Sequence, residues 1–228
     1  MRPSASSVQR SARRRSRGFS LLELLAVIAV IGILAALIFP SIGAARKSAN
    51  RAKTKVQFAQ WAAAIESFRS EYGYYPAFHS SHLVNGGATT TLNGEHLFHD
   101  ILAGRKRDGS ELAAGSAPAT QNRKRIPFYS FGEGEFTDAN AVYPHFLRDA
   151  FENLSIAVLV DRNLDGRIDN SDYPSYPAVA LPDGTTARPS SGGNDTDIPA
   201  TGLRTGVVLY CAAPNATAND PQFIFTWK

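Results

Sequence analysis

The chain has 228 residues, 43% of them hydrophobic and 19% charged. That excludes a wholly disordered protein and leaves room for one soluble domain plus an additional element, or two very small domains. The formal net charge is +4, but residues 1–18 hold six arginines (Arg2, Arg10, Arg13, Arg14, Arg15, Arg17) and no acid; without them the balance falls to −2, so the basicity is no argument for a nucleic-acid partner. A single cysteine, Cys211, excludes an intramolecular disulfide. Neither a nucleotide loop nor a Gly-x-Ser-x-Gly elbow argues for an enzyme.

The first predicted element is the run Phe19–Phe39, FSLLELLAVIAVIGILAALIF, in which Glu23 is the one strongly polar residue. As a helix it would span ~31 Å against a hydrocarbon core of ~30 Å, enough for one membrane crossing. A secretory signal fits less well, because its apolar region runs ~7–15 residues and ends at a small-residue cleavage site. A plain anchor has no use for Glu23, since an acid at the centre of a membrane helix costs roughly 2.5–3.5 kcal/mol. The leader arginines are opposed by Arg46, Lys47, Arg51, Lys53 and Lys55 on the far flank, so the positive-inside rule sets orientation by a narrow margin.

Residues 17–40, RGFSLLELLAVIAVIGILAALIFP, resemble the prepilin signature of type IV pilins and type II secretion pseudopilins. The matching elements are Gly18, Phe19 and Glu23, with Gly32 and Pro40 where that family places a helix glycine and proline. The resemblance implies cleavage between Gly18 and Phe19 on the cytoplasmic side by a prepilin peptidase and N-methyltransferase, with N-methylation of Phe19. It also implies single-pass residence in the bacterial inner membrane with the globular part in the periplasm. An inner-membrane assembly platform would then extract the helix into a periplasmic or extracellular filament of pilin or pseudopilin subunits. Cleavage would create a cationic amine at Phe19. Pairing it with Glu23 of a neighbouring subunit would offset the cost of burying each charge and fix axial register. The function implied is a structural subunit of a secretion pseudopilus or pilus-like filament; the alternative is a minor pilin that binds DNA, a surface or a protein at a filament tip.

Pro40 is expected to kink the helix rather than end it, since helix formers dominate residues 44–70. Phe58, Trp61, Ile65, Phe68 and Tyr72 recur at helical spacing and form one apolar stripe. Gly73 and Pro76 supply the stop. A continuous helix to Tyr72 would be ~80 Å long. The expected fold is α+β: a long N-terminal α-helical spine, membrane-spanning in its first half, with a small antiparallel β-sheet head. The expected organisation is a basic leader at 1–18, an assembly half at 19–43, an amphipathic soluble half at 44–73 and a globular head at 74–228.

Within 74–228, EHLFHDILA (95–103) predicts a short helix and FYSF (128–131) a short strand. SIAVLV (155–160), VVLYC (207–211) and FIFTW (223–227) predict firmer strands. Residues 182–202 are rich in Gly, Ser, Thr and Pro and predict a loop. Tyr74-Tyr75-Pro76, the segment Asp149–Asn153 and residues 207–227 resemble parts of the major pseudopilin of type II secretion. In 149–153 the proline, tryptophan and glycine of that family's Asp-Pro-Trp-Gly-Asn are all replaced. Major type IV pilins commonly close a C-terminal disulfide, which one cysteine cannot make, so the resemblance leans toward a pseudopilin.

Residues 161–172, DRNLDGRIDNSD, carry oxygen side chains at loop positions 1, 3 and 5 (Asp161, Asn163, Asp165) and glycine at 6. The Arg167 carbonyl follows at 7, Asp169 at 9 and Asp172 at 12. Calcium takes six to eight oxygens in such a loop, although Asp stands where an EF-hand has Glu and the preceding residues predict a strand. The competing interpretation is an Asp/Asn/Gly turn. The family resemblance places its own calcium loop elsewhere, loosely at Asn215, Asn219 and Asp220. The pairs His79/His82 and His96/His99, with Asp100, have zinc-compatible spacing without a fourth partner and are expected to be surface or loop residues. The triplets Arg105–Arg107 and Arg123–Arg125 are expected to lie on solvated loops.

Overall fold

The computed structural model describes residues 19–192 and 198–227. The leader expected at 1–18, including Gly18, lies outside the described residues, as do the side chains of 37–41 and so the kink expected at Pro40. The chain divides into two compact units, Met1–Arg46 and Lys47–Lys228.

Helix α1, Leu21–Tyr72, begins in the first unit and ends in the second. In the first unit every residue from Phe19 to Leu34 is exposed, Phe19 at 81%. Among the described residues no helix is long and apolar enough to cross a membrane; the residues that would complete the run at 37–39 are among those whose side chains are not described.

In the second unit α1 buries the predicted stripe: Phe58, Trp61, Ile65 and Phe68 have no exposed surface. Tyr72 is half-buried and donates through its hydroxyl to Asn122 Oδ1 at 2.8 Å. Gly73 stops the helix in the left-handed region (φ +79°), where its N–H reaches the Arg69 carbonyl at 2.7 Å. Two short helices follow, α2 at Leu97–Ala103 and α3 at Ala117–Gln121.

The three firmly predicted strands form one antiparallel sheet in the order β1 (Ile156–Val160), β6 (Val207–Ala212), β7 (Phe223–Phe225). Alternation along each strand sends one set of side chains to each face. Ile156, Val158, Val207, Leu209, Cys211 and Ile224 pack with Phe58, Trp61 and Ile65 of α1. The intervening residues, among them Leu159, Val208, Tyr210 and Phe225, pack beneath a second layer drawn from residues 168–198. That layer differs from the plain loop expected at 182–202. It contains the hairpin β2 (Val179–Ala180) with β3 (Thr186–Ala187), and the short parallel pair β4 (Ser191–Gly192) with β5 (Ile198–Pro199). The α+β fold therefore has a sheet laid over the helix on one face and covered by this second layer on the other.

Residues 128–131 are not a strand. Phe128 and Tyr129 both donate their N–H groups to the Leu102 carbonyl, at 2.8 and 3.1 Å. The segment's aromatic rings fill space along α1: Phe128 lies 5.3 Å from Phe68 and Phe131 6.2 Å from Trp61, centroid to centroid. The outer edge of β1 is covered by residues 82–84. Val158 N–H donates to the His82 carbonyl at 2.9 Å, and Val84 N–H to the Ile156 carbonyl at 2.8 Å.

Candidate functional site

The start of α1 is built by two residues. Ser20 Oγ accepts from Glu23 N–H at 3.1 Å, and Glu23 Oε2 accepts from Ser20 N–H at 2.9 Å. This reciprocal capping box satisfies two of the amides that a helix N-terminus leaves without partners. The Ser-x-x-Glu spacing ahead of an apolar run is its sequence signature, and it gives Glu23 a local task besides the expected role between subunits. Phe19 stands immediately before the cap.

The acidic loop leaves β1 at Asp161, which has no exposed surface. Its Oδ1 accepts from Asp165 N–H at 3.2 Å and its Oδ2 from Gly166 N–H at 2.8 Å. Gly166 sits at φ +85°, the turn that gathers the loop. Asn163 Oδ1 also accepts from Asp165 N–H, at 2.9 Å, while Asn163 Nδ2 reaches Asp165 Oδ2 at 3.2 Å. Asp172, 4% exposed, accepts through Oδ1 from Arg162 N–H and Asn163 N–H at 2.9 and 3.1 Å. Its Oδ2 is buried and has no hydrogen-bond partner. Burial pushes the Asp172 carboxyl above its ordinary value, and the neighbouring Asp161 pushes it the same way.

Two buried residues outside the expected ligand set anchor this loop. Ile168 exchanges both backbone hydrogen bonds with Leu203, at 2.9 and 3.0 Å, and Tyr173 Oη bonds both the N–H and the carbonyl of Val160, at 2.9 and 3.1 Å. Of the six expected ligand residues, Asp161, Asn163, Asp165 and Asp172 are linked by hydrogen bonds within the loop, and Asp165 Oδ1 also accepts from Arg167 N–H at 2.9 Å. The Asp169 side chain is turned to Ser171: its Oδ1 accepts from Ser171 N–H and Oγ at 2.7 and 2.6 Å. The Arg167 guanidinium donates to the Thr201 carbonyl at 2.6 Å. Among the described residues no group of three or more His, Cys, Asp or Glu is placed to hold a metal ion.

The remaining candidates resolve into local structure. Asn215 Oδ1 accepts from Lys47 Nζ at 3.1 Å, and Asp220 Oδ2 from Gln222 Nε2 at 2.9 Å; the lysine opposes a cation at that loop. His96, in the loop before α2, and His99, on α2, are both buried, where surface or loop positions were expected. His96 bonds the Thr91 carbonyl at 3.0 Å and His99 Nδ1 bonds Asp100 Oδ1 at 2.8 Å. In the basic triplets Arg107 pairs with Glu133 at 2.8 Å, Lys124 with Glu71 and Arg125 with Glu111.

Residues 149–153 close a turn. Asp149 Oδ1 accepts from the N–H groups of Phe151 and Asn153 at 2.8 Å each, and Oδ2 accepts from Asn153 Nδ2 at 3.0 Å and from the Cys211 thiol at 3.2 Å. Burial, reinforced by Asp149, pushes that thiol well above its usual range. Glu152, at the position where the resembled segment has glycine, adopts φ +67°. A non-glycine residue there costs ~1–2 kcal/mol. Glu152→Gly is therefore expected to raise stability by up to about 1 kcal/mol, after the flexibility glycine adds to the unfolded chain. Chemical denaturation of the two proteins measures the difference, and a destabilised variant would show that the exposed Arg148–Glu152 pair at 3.0 Å outweighs the strain.

Residues 13–39 match the family model of the prokaryotic N-terminal methylation motif. By that motif the N-terminal segment is of the prepilin type. It is 32% identical over 63 residues to type II secretion system core protein G of Pectobacterium carotovorum, covering 28% of this chain and 40% of that protein. With the core protein G of Klebsiella pneumoniae the identity is again 32% over 63 residues, covering 28% of this chain and 45% of that protein. The type IV wide pilus major component PilA4 of Thermus thermophilus is 60% identical over 37 residues, covering 16% of this chain and 28% of that protein. The chain thus spans less than half the length of these curated relatives. No solved structure matches it.

Proposed function

We propose that the chain is a structural subunit of a type II secretion pseudopilus or a type IV pilus-like filament, cut between Gly18 and Phe19, methylated at Phe19 and anchored in the inner membrane by its first helix until assembly. The observation that carries this is the apolar segment from Phe19 to Leu34, helical from Leu21 and exposed on every side. A helix apolar all round is stable only when lipid or other protein covers it. The methylation motif over 13–39 points to one processing route that supplies both covers in turn, a bilayer first and other subunits afterwards. The similarity to core protein G and to a wide-pilus component supports the two filament types named. A prepilin peptidase and an inner-membrane assembly platform are the partners this route requires.

Mass spectrometry of the N-terminal peptide, from the membrane fraction of cells expressing the full chain with a prepilin peptidase, tests the reading. The expected mature protein begins at Phe19 and carries one added methyl group on its amine. An intact Met1 leader, or cleavage near Ala35-Ala36, would overturn the proposal.

A further inference from the structure

We propose that residues 161–172 bind one calcium ion through Asp161, Asn163, Asp165, the Arg167 carbonyl and Asp172, with Asp169 outside the ligand set. The starting point is the Asp172 oxygen that is buried without a hydrogen-bond partner. Leaving a carboxylate oxygen unsatisfied in the interior is costly. Here it occurs near a second buried carboxylate, that of Asp161, which directly follows β1.

Neither nearby arginine offsets the charge. The Arg162 guanidinium donates to the Asp172 carbonyl at 3.3 Å and lies 5.8 Å from the Tyr173 ring centroid, and that of Arg167 is committed to Thr201. A cation supplied from solution would satisfy the orphaned oxygen and separate the two negative charges.

The donor set suits a hard divalent ion. Each carboxylate oxygen has about two acceptor sites, and each oxygen of Asp161 accepts a single N–H, so both retain one for a metal. Two of the five ligands are an amide oxygen and a backbone carbonyl. Asp165 is exposed, with Oδ1 accepting from Arg167 N–H at 2.9 Å and Oδ2 from Asn163 Nδ2 at 3.2 Å, so its carboxylate must turn inward on binding; this is why three acids are not already gathered. An irregular loop of this kind favours calcium, which accepts six to eight oxygens in flexible geometry, over magnesium, which demands a near-ideal octahedron.

Asp169 is left out because its Oδ1 already accepts twice, from Ser171 N–H and Oγ, whereas each oxygen of Asp165 accepts once, from Arg167 N–H and Asn163 Nδ2. The ion would tie the end of β1 to Tyr173 and Ile168, and so fasten the layer behind the sheet.

Calorimetric titration of the full chain in detergent with calcium chloride tests this, with thermal melts in calcium, in magnesium and in chelator. The expected result is one ion per chain, with a Kd of roughly 10⁻⁵–10⁻³ M, and a melting temperature several degrees higher in calcium, with a smaller shift in magnesium. Asp172→Asn and Asp165→Ala should each weaken binding tenfold or more, whereas Asp169→Ala should leave it within about twofold. Should Asp172→Asn fail to fold, Asp165→Ala decides, because its side chain is exposed. An unchanged wild-type melt with no titration heat, or undiminished affinity in Asp165→Ala, would overturn the site; equal losses in Asp169→Ala and Asp165→Ala would overturn the exclusion of Asp169.

Discussion

Trp61→Ala is expected to destabilise the unit Lys47–Lys228 by about 3–5 kcal/mol, the usual cost of truncating a fully buried tryptophan. The indole has no exposed surface and lies edge-on to Phe98 at 5.2 Å, with Phe58 at 5.9 Å. It also donates through Nε1 to Glu135 Oε1 at 3.0 Å, an atom shared with Gln57 Nε2 and Tyr129 Oη. Truncation therefore leaves a cavity between α1 and α2 and removes one donor from that carboxylate. Against a typical total of 5–15 kcal/mol, the loss should lower the melting temperature by roughly 10 °C or more. Trp61→Phe keeps most of the ring and loses only the N–H, so about 1 kcal/mol is expected. Circular dichroism melts under one fixed buffer compare the three proteins, and a Trp61→Ala variant as stable as wild type would refute the packing described between α1 and the sheet.

Glu23→Ala is expected to cut incorporation into filaments by two orders of magnitude or more in competition with wild-type subunits. If the proposed pairing with a neighbour's Phe19 amine holds, removing the carboxylate strands a buried cation, a loss of ~3–5 kcal/mol, and every 1.4 kcal/mol is tenfold. The capping box offers a second explanation for the same phenotype, and two further variants separate them. Glu23→Gln retains a group that can accept from Ser20 N–H but carries no charge. Ser20→Ala removes the cap's hydroxyl and leaves the charge, at a cost of only ~1 kcal/mol in helix stability. The electrostatic role predicts that Gln fails like Ala while Ser20→Ala assembles nearly normally. Recovery of assembly in Glu23→Gln would assign Glu23 to capping alone.

The parts of the fold that announce themselves in the sequence are those with period or density. The stripe from Phe58 to Phe68 and the runs 156–160, 207–212 and 223–225 are of this kind. The strands also carry the mark of their second covered face. A strand with one wet side alternates, whereas IAVLV and VVLYCA are apolar throughout because the structure buries both sides. The covering layer could not be foreseen from periodicity, since it uses Ile168, Tyr173, Tyr176, Val179 and Ile198 singly, between turns. Phe128–Phe131 misled for the opposite reason: aromatic density there serves ring packing on α1, not a ladder. In the acidic loop, spacing grouped Asp161, Asn163, Asp165, Asp169 and Asp172, and the loop's own hydrogen bonds run among Asp161, Asn163, Asp165 and Asp172. What spacing does not register is local competition, such as Ser171 bonding one oxygen of Asp169.

The segment 82–84 has a bearing on life at high local concentration. A bare strand edge is a template on which another chain can continue the sheet. Here Leu83 bridges Ala157, with hydrogen bonds to Ile156 and Val158 on either side. His82 accepts a left-handed backbone, φ 55°, where the segment meets the strand. Molecules crowded side by side cannot fuse through that margin into runaway cross-β stacks. Contacts made there must instead use side chains and loop surfaces, which can be broken again without unravelling a sheet.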